Sequence, residues 1–311
     1  NISSEKTDNQ QSVNENITDV EGKEEASEQA STQLENSEKE TQAKEPTLET
    51  SAYPATEKKK KINLKKLQDF DYLRQNFYQV DNTTTITSEL LNLDKMLKKD
   101  LTLKSDVEGP QILIYHTHSK EAFADSKKGE TVVALGNYLE EILEKTYGIE
   151  VLHHKGKYDV PTRDNAYAQA QPNIEKILKE NPSIEVVIDL HRDGVPESTH
   201  LVTEINGKPT AQIMFFNGLC RTTSGELGSY PNPYLEDNLA CSFQMHLTAA
   251  EYYPGFTRRI YLKGYRYNMH LCPKSMLIEV GAQTNTFQEA KNAMEPLADI
   301  LAKVLRGNAS N

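Results

Sequence analysis

Two histidines stand two residues apart at the end of an apolar run, Ile112-Leu113-Ile114-Tyr115-His116-Thr117-His118-Ser119. A second run, Val186-Val187-Ile188-Asp189-Leu190-His191, also ends in histidine, and a third, Met276-Leu277-Ile278-Glu279, ends in a carboxylate. Imidazole nitrogens and carboxylate oxygens are the donors of a hydrolytic zinc, which keeps three protein ligands and an open place for water; structural zinc prefers four, often thiolates. One histidine from His116 or His118, then Glu130 at the start of the next helical pattern, then His191 make a candidate set for Zn2+. The His-x-His spacing brings both of the first pair near one ion only if the chain stops being extended there, since alternate strand residues share a face. Such an ion lowers the pKa of bound water to about 7 and polarises the carbonyl under attack. A general acid/base must then move the proton to the leaving nitrogen, and Glu279 is suited to that. Each residue alone is weak evidence: strand-end histidines are commonly hydrogen-bonded core residues, and an acidic residue at a helix start is favoured by the dipole. The joint occurrence at three run ends points to a centre.

Those run ends need elements to hold them. Short, nearly continuous apolar runs read as strands buried on both faces, as in parallel sheets, where ligands bind in the crevice beyond the carboxyl ends. Between them, Val132, Val133, Leu135, Tyr138, Leu139, Ile142 and Leu143 give a broad helical face that Gly148 ends. Ile149–Leu152 reads as a strand, Pro172 as the first turn of a helix through Lys179, and Asn181-Pro182 as its stop. Asn206-Gly207 between Leu201–Ile205 and Ala211–Phe216 is a tight hairpin signal. A helix is expected near Leu235–Tyr252, a strand near Arg259–Leu262, and a last helix from Phe287 to Leu305 opened by a Thr286/Glu289 capping box. The expected class is α/β: a mostly parallel or mixed central sheet flanked by helices, with a hairpin insertion.

The chain has 311 residues, a net charge of -11 and a 37% hydrophobic content, with mean hydropathy -0.67 and pI about 5.3. That acidity argues against a general affinity for nucleic acid or anionic lipid, which need a cationic face. The polarity is concentrated at the front: residues 1–61 read as a disordered acidic spacer, 62–108 as a lead-in helical and extended subdomain, and 109–307 as the catalytic domain. Cys220, Cys241 and Cys272 show no paired spacing and read as buried thiols. No apolar run is long enough to span a membrane. The first residue is Asn, not Met, from which a removed signal or membrane anchor is expected. His153, His154, His200, His246 and His270 lack a strand-end setting and read as structural or surface residues.

The segments ILIYHTHSKEAF from Ile112, VVIDLHRDG from Val186, RYN from Arg266 and LIEVGAQTNT from Leu277, in this order, resemble the stage II sporulation protein P family. That family is similar to the zinc-dependent N-acetylmuramoyl-L-alanine amidases. The resemblance covers roughly residues 65 to 306 and leaves the acidic front outside. It implies an amidase-like fold and a membrane-anchored, extracytoplasmic hydrolase of peptidoglycan. Such an enzyme would cut between muramic acid and L-alanine, with an additional peptide-crosslink cleavage, during engulfment alongside stage II sporulation proteins D and M. It implies His118, Glu130 and His191 as metal ligands and Glu279 as the acid/base. The wider amidases carry Gly-His-Gly where this chain has His116-Thr117-His118, which leaves His116 as an orienting residue or an alternative ligand. Arg192 and Arg266 are candidate substrate contacts or supports for the ligands. A zinc carboxypeptidase would use similar ligands with an arginine clamp from Arg163, Arg192 or Arg266. A non-catalytic cell-wall binding module is the other rival, and a serine hydrolase is disfavoured by the lack of GxSxG.

Overall fold

The computed structural model describes residues 57–307, so the acidic front up to residue 56 lies outside the described residues. Near the start of the described residues, Lys60 N–H donates to Glu251 O at 3.0 Å and Lys58 pairs with Glu251 at 3.1 Å. The elements in chain order are α1 (Leu64–Leu67), α2 (Phe70–Phe77), β1 (Tyr78–Val80), α3 (Leu93–Lys98), β2 (Ile112–Tyr115), α4 (Val132–Tyr147), β3 (Val151–His153), α5 (Ala166–Glu180) and β4 (Val186–Asp193). There follow β5 (Val202–Ile205), β6 (Lys208–Ala211), β7 (Ile213–Gly218), β8 (Arg221–Thr222), β9 (Gly225–Glu226), α6 (Leu235–Tyr252), β10 (Ile260–Lys263), β11 (Ser275–Ala282), α7 (Phe287–Asn292) and α8 (Met294–Leu305).

Seven strands make one sheet in the order β1-β10-β7-β11-β4-β2-β3. Every pairing is parallel except β11 with β7. The carboxyl ends of β2, β3, β4 and β11 therefore share one rim, and β7, β10 and β1 run the other way. This is the expected α/β class, with the lead-in segment contributing β1 to the same sheet. β5 and β6 form the separate hairpin, turned by Asn206 and Gly207, both at positive φ (51° and 76°) as a type I′ turn requires. Its second strand starts at Lys208, not Ala211.

Strand periodicity decides which face each side chain takes. Ile112, Ile114, Val186, Ile188, Leu190, Met276, Ile278 and Val280 point into the larger core, shared with residues of α4, α6 and α8. Leu113, Tyr115 and Val187 point the other way into a small core capped by Ala166, Ala170 and Ile174 of α5. The registers Asp189↔Leu277 and His191↔Glu279 put two carboxylates and an imidazole on this second face. Polar groups are tolerated there because they are hydrogen-bonded or ion-paired to one another.

Boundaries shift where local signals competed. α5 begins at Ala166, after Asn165 at φ 60°, and carries Pro172 in its interior instead of at its start. α4 begins at Val132 with Thr131 as its cap and ends at Gly148, so Glu130 precedes the helix. The last helical stretch is broken at Ala293 into α7 and α8, and the Thr286/Glu289 capping box is present. All three cysteines are free and buried. Among the described residues no helix is long and apolar enough to cross a membrane.

Candidate active site

β2 stops at Tyr115, and the chain turns out of the sheet through His116-Thr117-His118. Asp189, inside β4, fixes that turn: Thr117 N–H donates to Oδ1 at 2.9 Å and the Thr117 hydroxyl to Oδ2 at 2.6 Å. A carboxylate buried in a strand needs such partners, and its third is His191, whose Nε2 lies 2.7 Å from Oδ1 but off the hydrogen-bonding direction. The other nitrogen, Nδ1, is 3.4 Å from Glu121 Oε2. Glu121 is itself held by Arg192 N–H at 3.0 Å and Arg163 Nη2 at 3.1 Å, and its carbonyl accepts from Val132 N–H at the head of α4. His191 thus sits between two buried carboxylates.

His118 is half-buried, its ring centroid 5.4 Å from that of His191 and 5.7 Å from that of Tyr167 on α5, edge to face in both cases. Tyr167 in turn meets Tyr267 at 5.1 Å. Tyr267 and Asn268 both take positive φ (49° and 54°), and the Asn268 amide ties the loop to Tyr167 O at 2.8 Å. Glu279 is also half-buried and lies across from His191 on the neighbouring strand. His118 Nδ1 and Glu279 Oε2 are buried atoms with no hydrogen-bond partner, which calls for a ligand or substrate group.

The environments push the two glutamates apart. Burial drives Glu279 up to about 8 against the pull of His191. Burial works the same way on Glu121, but His191, Arg192 and His118 outweigh it and hold the carboxyl down at about 2. Burial disfavours a charged His191, yet Asp189 and Glu121 keep the imidazole well above its ordinary value. His118 falls to about 4 through burial and the neighbouring His191. One raised and one lowered carboxyl near a single imidazole is a pattern of paired acid and base roles.

The structure brings together His118, His191 and Glu279 of the expected set, and it does not bring Glu130. The Glu130 carboxylate accepts from Lys127 N–H at 2.7 Å in its own turn, because the helix starts two residues later than the pattern suggests. Glu121, three residues after His118, stands where Glu130 was expected. His116 is fully buried with both nitrogens engaged, by Leu190 O and His153 Nε2 at 2.8 Å each, and so does not face the cleft. Arg192 is spent on Ala122 O and Asp193 O, and Arg266 lies over the Tyr230 ring. Sequence reasoning missed Glu121, Asp189 and Tyr167. The His118-x-x-Glu121 spacing and a charge within the run VVIDLH were signals for the first two.

The donor types, two imidazoles and a carboxylate with an orphaned histidine nitrogen, fit a hydrolytic zinc. Among the described residues, no three His, Cys, Asp or Glu groups stand close enough to hold an ion as placed.

Fold and site together define an α/β protein with a cluster of imidazoles and carboxylates at the carboxyl rim of a mostly parallel sheet. The chain belongs to the stage II sporulation protein P family, whose model matches residues 1–302 and so includes the acidic front. It is 24% identical over 231 residues to the stage II sporulation protein P of Bacillus subtilis (strain 168), covering 67% of this chain and 54% of that protein. The chain therefore spans about half the length of that relative. Among solved structures it is similar to the N-acetylmuramoyl-L-alanine amidase AmiC2 of Nostoc punctiforme, with a TM-score of 0.41 and 12% identity over 64% of this chain and 96% of that one. It is also similar to the catalytic domain of CwlV, an N-acetylmuramoyl-L-alanine amidase from Bacillus (Paenibacillus) polymyxa var. colistinus, with a TM-score of 0.39 and 16% identity over 65% and 99%.

Proposed function

We propose that the chain is a zinc-dependent peptidoglycan hydrolase that cuts the amide between N-acetylmuramic acid and L-alanine, acting outside the cytoplasm in sporulation. The observation that carries this reading is the pairing of Glu279 with His191 across β11 and β4, beside an ionised Glu121. Family membership supports the setting. His118, His191 and Glu121 are the residues that would hold zinc. When bound, the ion would supply a nucleophilic hydroxide near neutral pH and polarise the scissile carbonyl.

The protein's own groups account for the rest. Asp189 holds the His118 turn and His191 in one register, so two imidazoles stay fixed beside each other. Arg163 and the Arg192 backbone keep Glu121 ionised and immobile. Glu279, neutral at rest and open to solvent in part, can give a proton to the departing amine nitrogen and afterwards recover one. Arg163 and Arg192 are engaged within the protein, which weighs against a clamp for a terminal carboxylate and hence against a carboxypeptidase. Crosslink cleavage, a membrane anchor, and a partnership with stage II sporulation proteins D and M belong to the same proposal.

Mass analysis of fragments released from purified peptidoglycan, with and without a chelator, tests it. The expected products are free stem peptides beginning with L-alanine, lost on chelation and restored by about one zinc per chain, since one catalytic ion needs only three ligands. Fragments cut solely within the stem, or release indifferent to chelators, would overturn the reading.

A further inference from the structure

Behind the cleft, on the sheet face packed by α4, a second group of ionisable residues has no part in the chemistry above. His116 Nδ1 lies 2.8 Å from Leu190 O, and His116 Nε2 lies 2.8 Å from His153 Nε2 at the end of β3. His153 Nδ1 lies 3.2 Å from Glu140 Oε2 on α4. The space exists because position 136 of α4 is glycine: a Cβ there would come within 2.6 Å of His153 Nε2 and 2.9 Å of His116 Nε2.

The protons on the two imidazoles follow from the chemistry of their partners. A carbonyl only accepts, so His116 donates from Nδ1. His116 is fully buried and no carboxylate is hydrogen-bonded to it, so its Nε2 presents a lone pair to His153. His153 must therefore donate from its own Nε2. His153 Nδ1 and Glu140 Oε2, 3.2 Å apart, then share one proton between them. The run of hydrogen bonds ends on a backbone carbonyl, which has no proton to pass on, and so cannot feed the cleft.

We propose that His153 and Glu140 are positioning residues, whose hydrogen bonds through His116 to the Leu190 carbonyl lock the turn bearing His118 against the strand bearing His191. Leu190 and His116 are the links: one precedes His191 directly and the other stands two residues before His118. The consequence for turnover rests on the hydrolase reading; the lock itself does not.

Imidazole 15N NMR of the full chain reads the lock directly. The expected result is His116 protonated at Nδ1 alone and His153 at Nε2, with Glu140→Gln, whose amide can still hydrogen-bond to Nδ1, keeping both tautomers. His153→Gln retains a donor and should preserve the His116 tautomer. His153→Phe should lose it, displace the His118 and His191 resonances, and slow peptidoglycan turnover about ten- to hundred-fold, the usual effect of losing such a support; His153→Gln should recover part of that loss. Wild-type His116 protonated at Nε2 would overturn the proposal. So would a folded His153→Phe protein with unmoved His118 and His191 resonances. If His153→Phe does not fold, the wild-type tautomers and His153→Gln decide. An inactive wild type with the expected tautomers would remove the hydrolase reading and leave the lock standing.

Discussion

Glu121 and Glu279 differ in protonation although both carboxyls feel the charge of the same imidazole, because Glu121 is met by Arg163 and Arg192 and Glu279 by neither. Their substitutions should therefore separate. Glu121→Ala should lose zinc and turnover together, whereas Glu130→Ala, which touches only its own turn, should keep both; elemental analysis of the purified variants reads the difference. Glu279→Gln should keep its metal and slow turnover by about 10²- to 10⁴-fold, the range expected for a proton shuttle. Its stability carries a second signature. The folded state retains the Glu279 proton up to about pH 8, while the unfolded carboxyl releases it near 4.5. More protons are bound in the folded state between those values, so stability falls as pH rises through that window, by at most about 1.4 kcal/mol per pH unit. Glu279→Gln should remove this slope in urea unfolding at a series of pH values across the window. An unchanged slope would mean that Glu279 is already ionised when folded.

At the scale of elements, α5 packs on the sheet face that bears His191, while α4 lies on the other and sets Gly136 tightly against it. The tightness can be measured at Gly136. Replacing a mid-helix glycine by alanine ordinarily stabilises by about 1 kcal/mol. Here the new methyl would strike two buried imidazoles, and overpacking of this kind costs about 1–3 kcal/mol. Gly136→Ala should thus lower the denaturation midpoint, and a raised midpoint would show that α4 can move off β2 and β3. α5 teaches the opposite lesson about sequence signals. Pro172 reads naturally as a first turn, yet burial of Ala166 and Ala170 extends the helix ahead of it, and that extension is what delivers Tyr167 to His118.

For the whole molecule, the described residues form one seven-stranded sheet with a hydrophobic core on each face. A chain beginning at residue 57 should keep the melting temperature of the full chain to within a few degrees, as read by calorimetry, and a large drop would give the front a structural role. The runs ending at His118, His191 and Glu279 were legible in the sequence because buried strands are short apolar segments with abrupt polar ends. So were the Asn206-Gly207 turn and the Thr286/Glu289 cap, which depend only on near neighbours. What the sequence could not disclose was which residues meet across strands. The register Glu279↔His191 and the Asp189 bridge to Thr117 arise from pairing between β2, β4 and β11, segments far apart in the chain. Glu130 and Glu121 both lie between His118 and α4, and local pattern favours the one nearer the helix. Only the packed structure, by seating Arg163 and Arg192 on Glu121, decides which of them faces His191, since a buried carboxylate goes where its charge is matched.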